Sequence, residues 1–411
     1  MSRINDLIKR MCPNGVEYKK LSDIVEFKRG KGFKKDDIGS GNFPIIFYGE
    51  LYTTYGNYIY DIVSFVDDNI VKNPVIVKKN DLVLPISSTT KEAQIGKVSV
   101  VLADNVILGS DAIVIRHNQS AGYMMHYLNS KLFESQKMRC VSGTTIRHLS
   151  TVDMMKISIP IPPIEVQEEI VKILDKFGEL EAELEAELEA RKDQYEFWRG
   201  RLFEFDKTVE YKKLDELFPF IRNGFVGTIT PFFTDKENGI RYLEGTNIHN
   251  GIISDNEELY VTRDFHEKHI KNELKEDDIL MVQSGHIGEC AVVGDKYKGS
   301  NCHALIIMSN GGQCLSKFIV HYFHTVKGFN SLTPAITGGT IKHVLAGKIG
   351  NIKVPCPSIE VQNKIVTILD KFDKLINDIS VGLPAEIELR KQQFEYYRDK
   401  LLSFEELSVN E

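Results

Sequence analysis

Apolar residues recur at alternating spacings of four and three in two separate stretches. Val166, Ile170, Ile173, Phe177 and Leu180 keep this rhythm in the first, and Val361, Ile365, Ile368, Phe372 and Leu375 keep it in the second. Such spacing predicts two long amphipathic helices. Further along, Tyr195, Trp198, Leu202 and Phe205 match Phe394, Tyr397, Leu401 and Phe404 in a 3-4-3 rhythm. Neither stripe has a partner within its own segment, so the two are expected to bury each other as an antiparallel pair about an approximate two-fold axis. Pro160, Pro162 and Pro163 precede the first helix and Pro355 and Pro357 the second, where proline is tolerated.

The middles of the two helices differ. Residues 179–190 are three ELEA tetrads, built from strong helix formers, and their leucines at 180, 184 and 188 drift off a heptad seam. At about 1.5 Å per residue, residues 164–203 form a rod of about 60 Å, long enough to hold two domains apart. The second helix contains Gly382 and Pro384, which predict a break there, with Pro384 near the start of a further helical segment.

The rhythm is part of a duplication. Residues 160–177 (PIPPIEVQEEIVKILDKF) and 355–372 (PCPSIEVQNKIVTILDKF) agree at 13 of 18 positions, 195 residues apart. VEYKKL occupies both 16–21 and 209–214, GTTIRH at 143–148 answers GGTIKH at 338–343, and residues 191–205 align with 390–404. Residues 22–141 and 215–336 keep only faint similarity. A duplicated frame around dissimilar fillings implies two comparable halves. The frame divides the chain into an N-terminal helical segment (1–15), a domain (16–159), a central helix (160–206), a second domain (207–354) and a distal helical region (355–411).

The fillings read as α+β. Residues 81–86, 97–101 and 112–115 are strand-like, and 278–283, 291–293 and 305–308 answer them. Residues 123–136 and 315–327 read as helices, each with a His-Tyr pair (His126-Tyr127, His321-Tyr322) that suits packing better than a site.

With 411 residues, 42% of them hydrophobic, the chain can bury two cores. No apolar run nears the roughly 18 residues that cross a bilayer, and Arg3, Asp6, Lys9 and Arg10 interrupt the N-terminal stretch, so a cytoplasmic protein without membrane contact is expected. Six cysteines without a CxxC suggest neither a disulfide framework nor structural zinc, and the pair His266 and His269 is expected to face solvent or phosphate. The net charge of −7 is unevenly spread. Residues 16–150 carry 17 Lys+Arg against 14 Asp+Glu, and residues 160–205 carry 6 against 13. The acid sits on the helices, as on a solvated face, and the domains are relatively basic.

No phosphate-binding GxxxxGK[ST] loop, dinucleotide fingerprint, amino-methyltransferase tetrapeptide or catalytic triad stands out, so no cofactor, metal or catalytic residue is expected. The matched polar residues lie in glycine-flanked turns suited to phosphates.

The repeated PIPPIEVQEEIVKILDKF, the VEYKKL openings, the ELEA tetrads and LPAEIELRKQQFEYYRDKLL together resemble the shared regions of type I restriction-modification specificity subunits (HsdS). The resemblance spans nearly the whole chain, strongly in the frame and weakly in the fillings. It implies two pseudo-symmetric α+β target-recognition domains separated by two long antiparallel helices forming a coiled coil. Each domain would read one half of a bipartite target in double-stranded DNA. The helices would set the spacing and dock two methyltransferase (modification) subunits, which restriction (nuclease/translocase) subunits join, and the chain itself would be non-catalytic. Members of this family vary in tandem tetrapeptides at the position of the ELEA repeat. A non-catalytic coiled-coil adaptor, or an orphan specificity protein without a nuclease, is the competing reading.

On that resemblance, candidate DNA contacts in the first domain are the basic loop of Lys28, Arg29, Lys31, Lys34 and Lys35, suited to phosphates. They also include Tyr48, Glu50, Tyr52, Thr54 and Asn57 in an aromatic, amide-rich turn, and Ser87, Ser88, Thr89, Thr90 and Lys91 after a strand. Arg222, Asn223, Arg241, Asn247, His249, Gln283, Ser284 and His286 are their counterparts in the second domain. Thr145 and Thr340 are further candidates, and Arg147 and His148, repeated as Lys342 and His343, are expected to hold backbone. Ile170, Ile173, Phe177, Tyr195, Trp198 and Leu202 are expected to pair with Ile365, Ile368, Phe372, Phe394, Tyr397 and Leu401.

Overall fold

The VEYKKL repeat forms the strand that closes each domain onto the helical frame. In the computed structural model, which describes residues 2–32, 41–67, 73–89, 95–339, 342–378 and 380–407, Tyr18–Lys20 pairs antiparallel with Ser158–Pro160. Tyr211–Lys213 pairs in the same way with Lys353–Pro355, and each ladder sets a tyrosine opposite the proline that leads into a frame helix.

The chain forms two compact units, residues 1–184 with 387–411, and residues 185–386. The C-terminal helix, from residue 387 on, therefore belongs to the first unit. In that unit five strands run in the order Val25–Arg29, Ala112–His117, Leu82–Pro85, Ser99–Val101, Tyr58–Ile59. In the second, four run in the order Phe220–Asn223, Leu305–Ser309, Ile279–Val282, Cys290–Val292. The first four positions correspond, so fillings with little sequence in common share a topology. In each central strand, Leu82–Pro85 and Ile279–Val282, all four residues are buried, which is why the sequence shows a continuous apolar run there. The helices expected over 123–136 and 315–327 are each broken in two, Ala121–Leu128 with Lys131–Lys137 and Ser316–Phe323 with Val326–Ser331. Ser130 and Thr325 break them by capping the second piece of each.

The first frame helix runs unbroken over Ile164–Leu202. The second is two helices, Ile359–Asn377 and Leu383–Leu402. Pro384 is the second residue of the last helix, where its missing N–H costs nothing. Within the first unit the pairing is antiparallel: Phe177 lies 5.5 Å from the Tyr397 ring and 6.4 Å from Phe394, and Glu181 reaches back to Lys391 at 3.6 Å. In the second unit Tyr195 meets Phe372 at 5.9 Å.

The expectation that the stripes chiefly bury each other needs correcting. Val166, Ile170 and Leu174 are fully buried, but in one core with Tyr123, Met124 and Tyr127 of the adjoining domain, and Ile173 and Leu401 join that core. Ile365 and Leu202 likewise belong to the core of the second unit. Trp198 and Ile368, expected in the seam, are 43% and 42% exposed. A frame helix is therefore anchored mainly by the domain beside it.

Candidate nucleic-acid interface

Beyond the buried strand Leu82–Pro85 the chain continues as a second short strand, Ser87–Ser88, also buried, and surfaces at Thr89. This short strand pairs antiparallel with Arg147–Leu149, setting Ser87 opposite His148 and Ser88 opposite Arg147. Ser87 Oγ lies 2.9 Å from His148 Nδ1 and 3.2 Å from Asp111 Oδ1, and Arg29 Nη2 donates to the same carboxylate oxygen at 3.4 Å. The Tyr52 hydroxyl donates to the Ser87 carbonyl at 3.0 Å, and burial pushes its pKa up to about 12, so it stays a neutral donor at pH 7. Six of the expected residues, Arg29, Tyr52, Ser87, Ser88, Arg147 and His148, thus come together.

Thr145 stands exposed on the hairpin that delivers Arg147, beside Ile146, which is 49% exposed. Gly143 makes the turn at φ +93°, and a Cβ there would sit 2.0 Å from the Ile146 carbonyl oxygen, so no other residue fits. Thr89 is exposed beside Ser88. Lys28 pairs with Glu26 at 3.1 Å, and Lys31 donates to the Asn73 carbonyl. Lys34, Lys35, Thr90, Lys91 and Thr340 lie outside the described residues.

The aromatic turn is mostly structural. Glu50 accepts from the Phe47 amide at 2.9 Å and from the Ser64 hydroxyl, which occupies both carboxylate oxygens within the fold. Tyr48 packs on a core cluster, Tyr55 is buried, and the Tyr58 hydroxyl is bound to Asp175 of the long helix. Thr54 and Asn57 remain exposed.

The second unit repeats the strand pairing: Ser284 bridges antiparallel to His343, and the Val344 amide donates to the Gln283 carbonyl at 2.9 Å. Gly285, at φ +81°, then turns the chain so that His286 is exposed with its ring 6.1 Å from that of His249. Lys342 is exposed beside His343, and Asn223 is exposed at its strand end.

Three expected contacts are consumed internally. Arg222 donates to Ser309 Oγ at 2.9 Å and to the Glu273 carbonyl at 3.3 Å. Arg241 donates to the carbonyls of Tyr242 at 2.9 Å and Leu259 at 3.1 Å. Asn247, 1% exposed, accepts from the Glu244 amide at 2.9 Å and donates to the Asn256 carbonyl at 2.6 Å. These side chains tie loops together, and the nitrogens they leave unpaired, Arg222 Nε and Arg241 Nε and Nη2, are buried away from any base. His266 and His269 are also corrected: His266 Nδ1 lies 2.7 Å from Asn301 Oδ1, and the His269 ring packs 4.5 Å from Phe265.

Two duplicated polar residues of the frame went unrecognised. Gln167 accepts from the Ser120 amide at 3.0 Å and donates to the Pro162 carbonyl at 2.8 Å; Gln362 accepts from Leu315 at 2.9 Å and donates to Pro357 at 2.8 Å. Each therefore covers the start of a domain helix whose first amides lack partners. Asp175 and Asp370 accept from His126 at 2.8 Å and His321 at 3.1 Å. Their signal was available in the sequence, as identical polar residues on an otherwise apolar helical face. Asp111 left none.

The family model for the type I restriction modification DNA specificity domain matches this chain twice, over residues 13–190 and 206–389. The specificity subunit of the type I restriction enzyme EcoR124I/EcoR124II from Escherichia coli is 33% identical over 69% of this chain and 70% of its own length. A putative type I specificity subunit of Haemophilus influenzae is 32% identical over 69% and 72%. Among solved structures, one reported for assembly and conformational transition of the type I R-M system covers 95% of this chain and 98% of its own, with a TM-score of 0.65 and 17% identity. The HsdS subunit of Thermoanaerobacter tengcongensis covers 95% and 97%, with a TM-score of 0.52 and 15% identity. With both domains matched and the same two-domain fold, the chain belongs to the type I restriction-modification DNA specificity subunit family.

Proposed function

We propose that residues 16–159 and 207–354 each read one half of a bipartite DNA target. Residues 160–206 and 355–411 are the frame that sets the gap between them and docks two methyltransferase subunits, with restriction subunits joining that core. The chain is non-catalytic in this reading and directs partners that carry the chemistry. The observation that carries it is the recurrence of one strand pairing, Ser87 with His148 and Ser284 with His343, in two units whose fillings differ, with exposed residues following the pairing in each, Thr89 in the first and His286 in the second. A shared pairing with different neighbours suits two readers of one ligand class and two sequences. In the first unit Arg29 and Arg147 supply phosphate contacts while the exposed Thr89 and Thr145 face base edges. In the second, Lys342 and His343 supply the phosphate contacts, and Ser284, His286, His249 and Asn223 face the bases.

The test is genome-wide mapping of methylated adenines in a host carrying this chain with its methyltransferase. Replacing residues 22–141 with the corresponding residues of a relative should change one half of the methylated motif and leave the other half intact. A motif that changes in both halves, or in neither, sinks the assignment of one half-site per domain.

A further inference from the structure

The two halves close the same His–Asp pair differently. In the first unit the Tyr58 hydroxyl lies 2.9 and 2.8 Å from the two oxygens of Asp175, so the carboxylate beside His126 is already satisfied. One turn further along the helix stands Gly178. In the second unit the residue matching Gly178 is Asp373, and its Oδ2 lies 4.0 Å from the Nε2 of His321. Asp370 Oδ1 lies 3.1 Å from that nitrogen, and the three ligand atoms are all within 4.8 Å of one another. His321 is 3% exposed, and its ring faces a 380 Å³ cavity lined also by His324, Asn250 and Asn377.

We propose that His321, Asp370 and Asp373 bind one zinc-type divalent ion, and that the first unit has no equivalent site. An imidazole nitrogen with two carboxylate oxygens is a donor set that zinc takes, whereas magnesium prefers oxygen ligands alone. Bond lengths of 2.0 to 2.2 Å in a tetrahedral site put ligand atoms about 3.4 Å apart. The observed 3.1 and 4.0 Å bracket that spacing, so small side-chain rotations complete the site. Lys317 holds the other oxygen of Asp370 at 2.7 Å, and the Tyr195 hydroxyl bonds to Asp373, so both carboxylates are oriented from behind. The cavity leaves room for water as a fourth ligand. The ion would join the domain helix Ser316–Phe323 to the frame helix Ile359–Asn377, where the first unit relies on Tyr58.

The test is calorimetric titration of the chelator-treated full-length chain with zinc chloride and, separately, magnesium chloride. One zinc per chain is expected, with no matching magnesium isotherm. Asp373→Asn, which keeps an acceptor for Tyr195, and His321→Gln should each abolish binding while circular dichroism stays unchanged, and Asp175→Asn should leave the stoichiometry at one. Absence of zinc binding, a stoichiometry of two, or zinc binding that survives in a folded Asp373→Asn chain would overturn the proposal.

Discussion

His126 Nε2 lies 2.8 Å from Asp175 Oδ1, and 195 residues later His321 repeats the contact with Asp370 at 3.1 Å. Both histidines are buried on a domain helix, and both aspartates come from the repeated ILDKF of a frame helix. The contact fixes a domain to its frame. Asp175→Ala leaves the His126 imidazole and the Tyr58 hydroxyl without their shared acceptor. A loss of about 2 kcal/mol is expected, the range for removing a charged acceptor from buried donors. Faster hydrogen exchange over residues 121–128, with none over 316–323, is the measurement that checks it.

The strand pairing at the candidate surface separates holding from reading. Arg147→Ala or Lys342→Ala should weaken binding about equally on matched and unmatched duplexes, and lower the slope of log affinity against log salt by about 1. Thr89→Ala or His286→Ala should instead relax one position of the methylated motif. Fluorescence anisotropy on duplexes across a salt series, with the methyltransferase present, distinguishes the two outcomes.

The ELEA tetrads lie inside one continuous helix, with Leu180, Leu184 and Leu188 only half-buried and most of the intervening residues exposed. Removing one tetrad shortens that helix by about 6 Å without deleting a buried side chain. The preferred gap between half-sites should shorten, or binding should fail, while each half-site sequence is retained. An unchanged gap in a methylation map would remove the spacer role.

Burial holds the His324 imidazole down to about 3, with the charges of Arg199 and His321 adding to the effect. The Glu289 carboxylate 3.6 Å away is itself engaged by the Asn250 amide. Because the folded value lies below the ordinary 6.5, the unfolded chain takes up the proton first. This contribution to stability is complete above pH 6.5 and declines as pH falls from there toward 3. Denaturant unfolding of chelator-treated protein between pH 7.5 and 5 should show that decline, and His324→Gln should flatten it.

Much of the local structure was legible along the chain. Continuous apolar runs gave the buried strands Leu82–Pro85 and Ile279–Val282, the 3-4 rhythm gave the frame helices, and Gly382 with Pro384 gave the break between the last two. Within the candidate surface, the serines after a strand and the repeated Arg147-His148 were found, but their pairing with each other was not.

By itself the sequence determined the elements, the duplication and the family, because each is encoded in spacing and identity over neighbouring residues. Only the tertiary structure decided what those elements face. Periodicity says that Ile170 and Ile365 are buried, but not that domain cores cover them. It marks Arg222, Arg241 and Asn247 as polar, but cannot show that carbonyls and a hydroxyl of the fold engage them while the unpaired nitrogens of the two arginines are buried. A buried polar group is satisfied by whatever the fold brings to it, and the Ser87–His148 contact spans 61 residues that no local pattern connects.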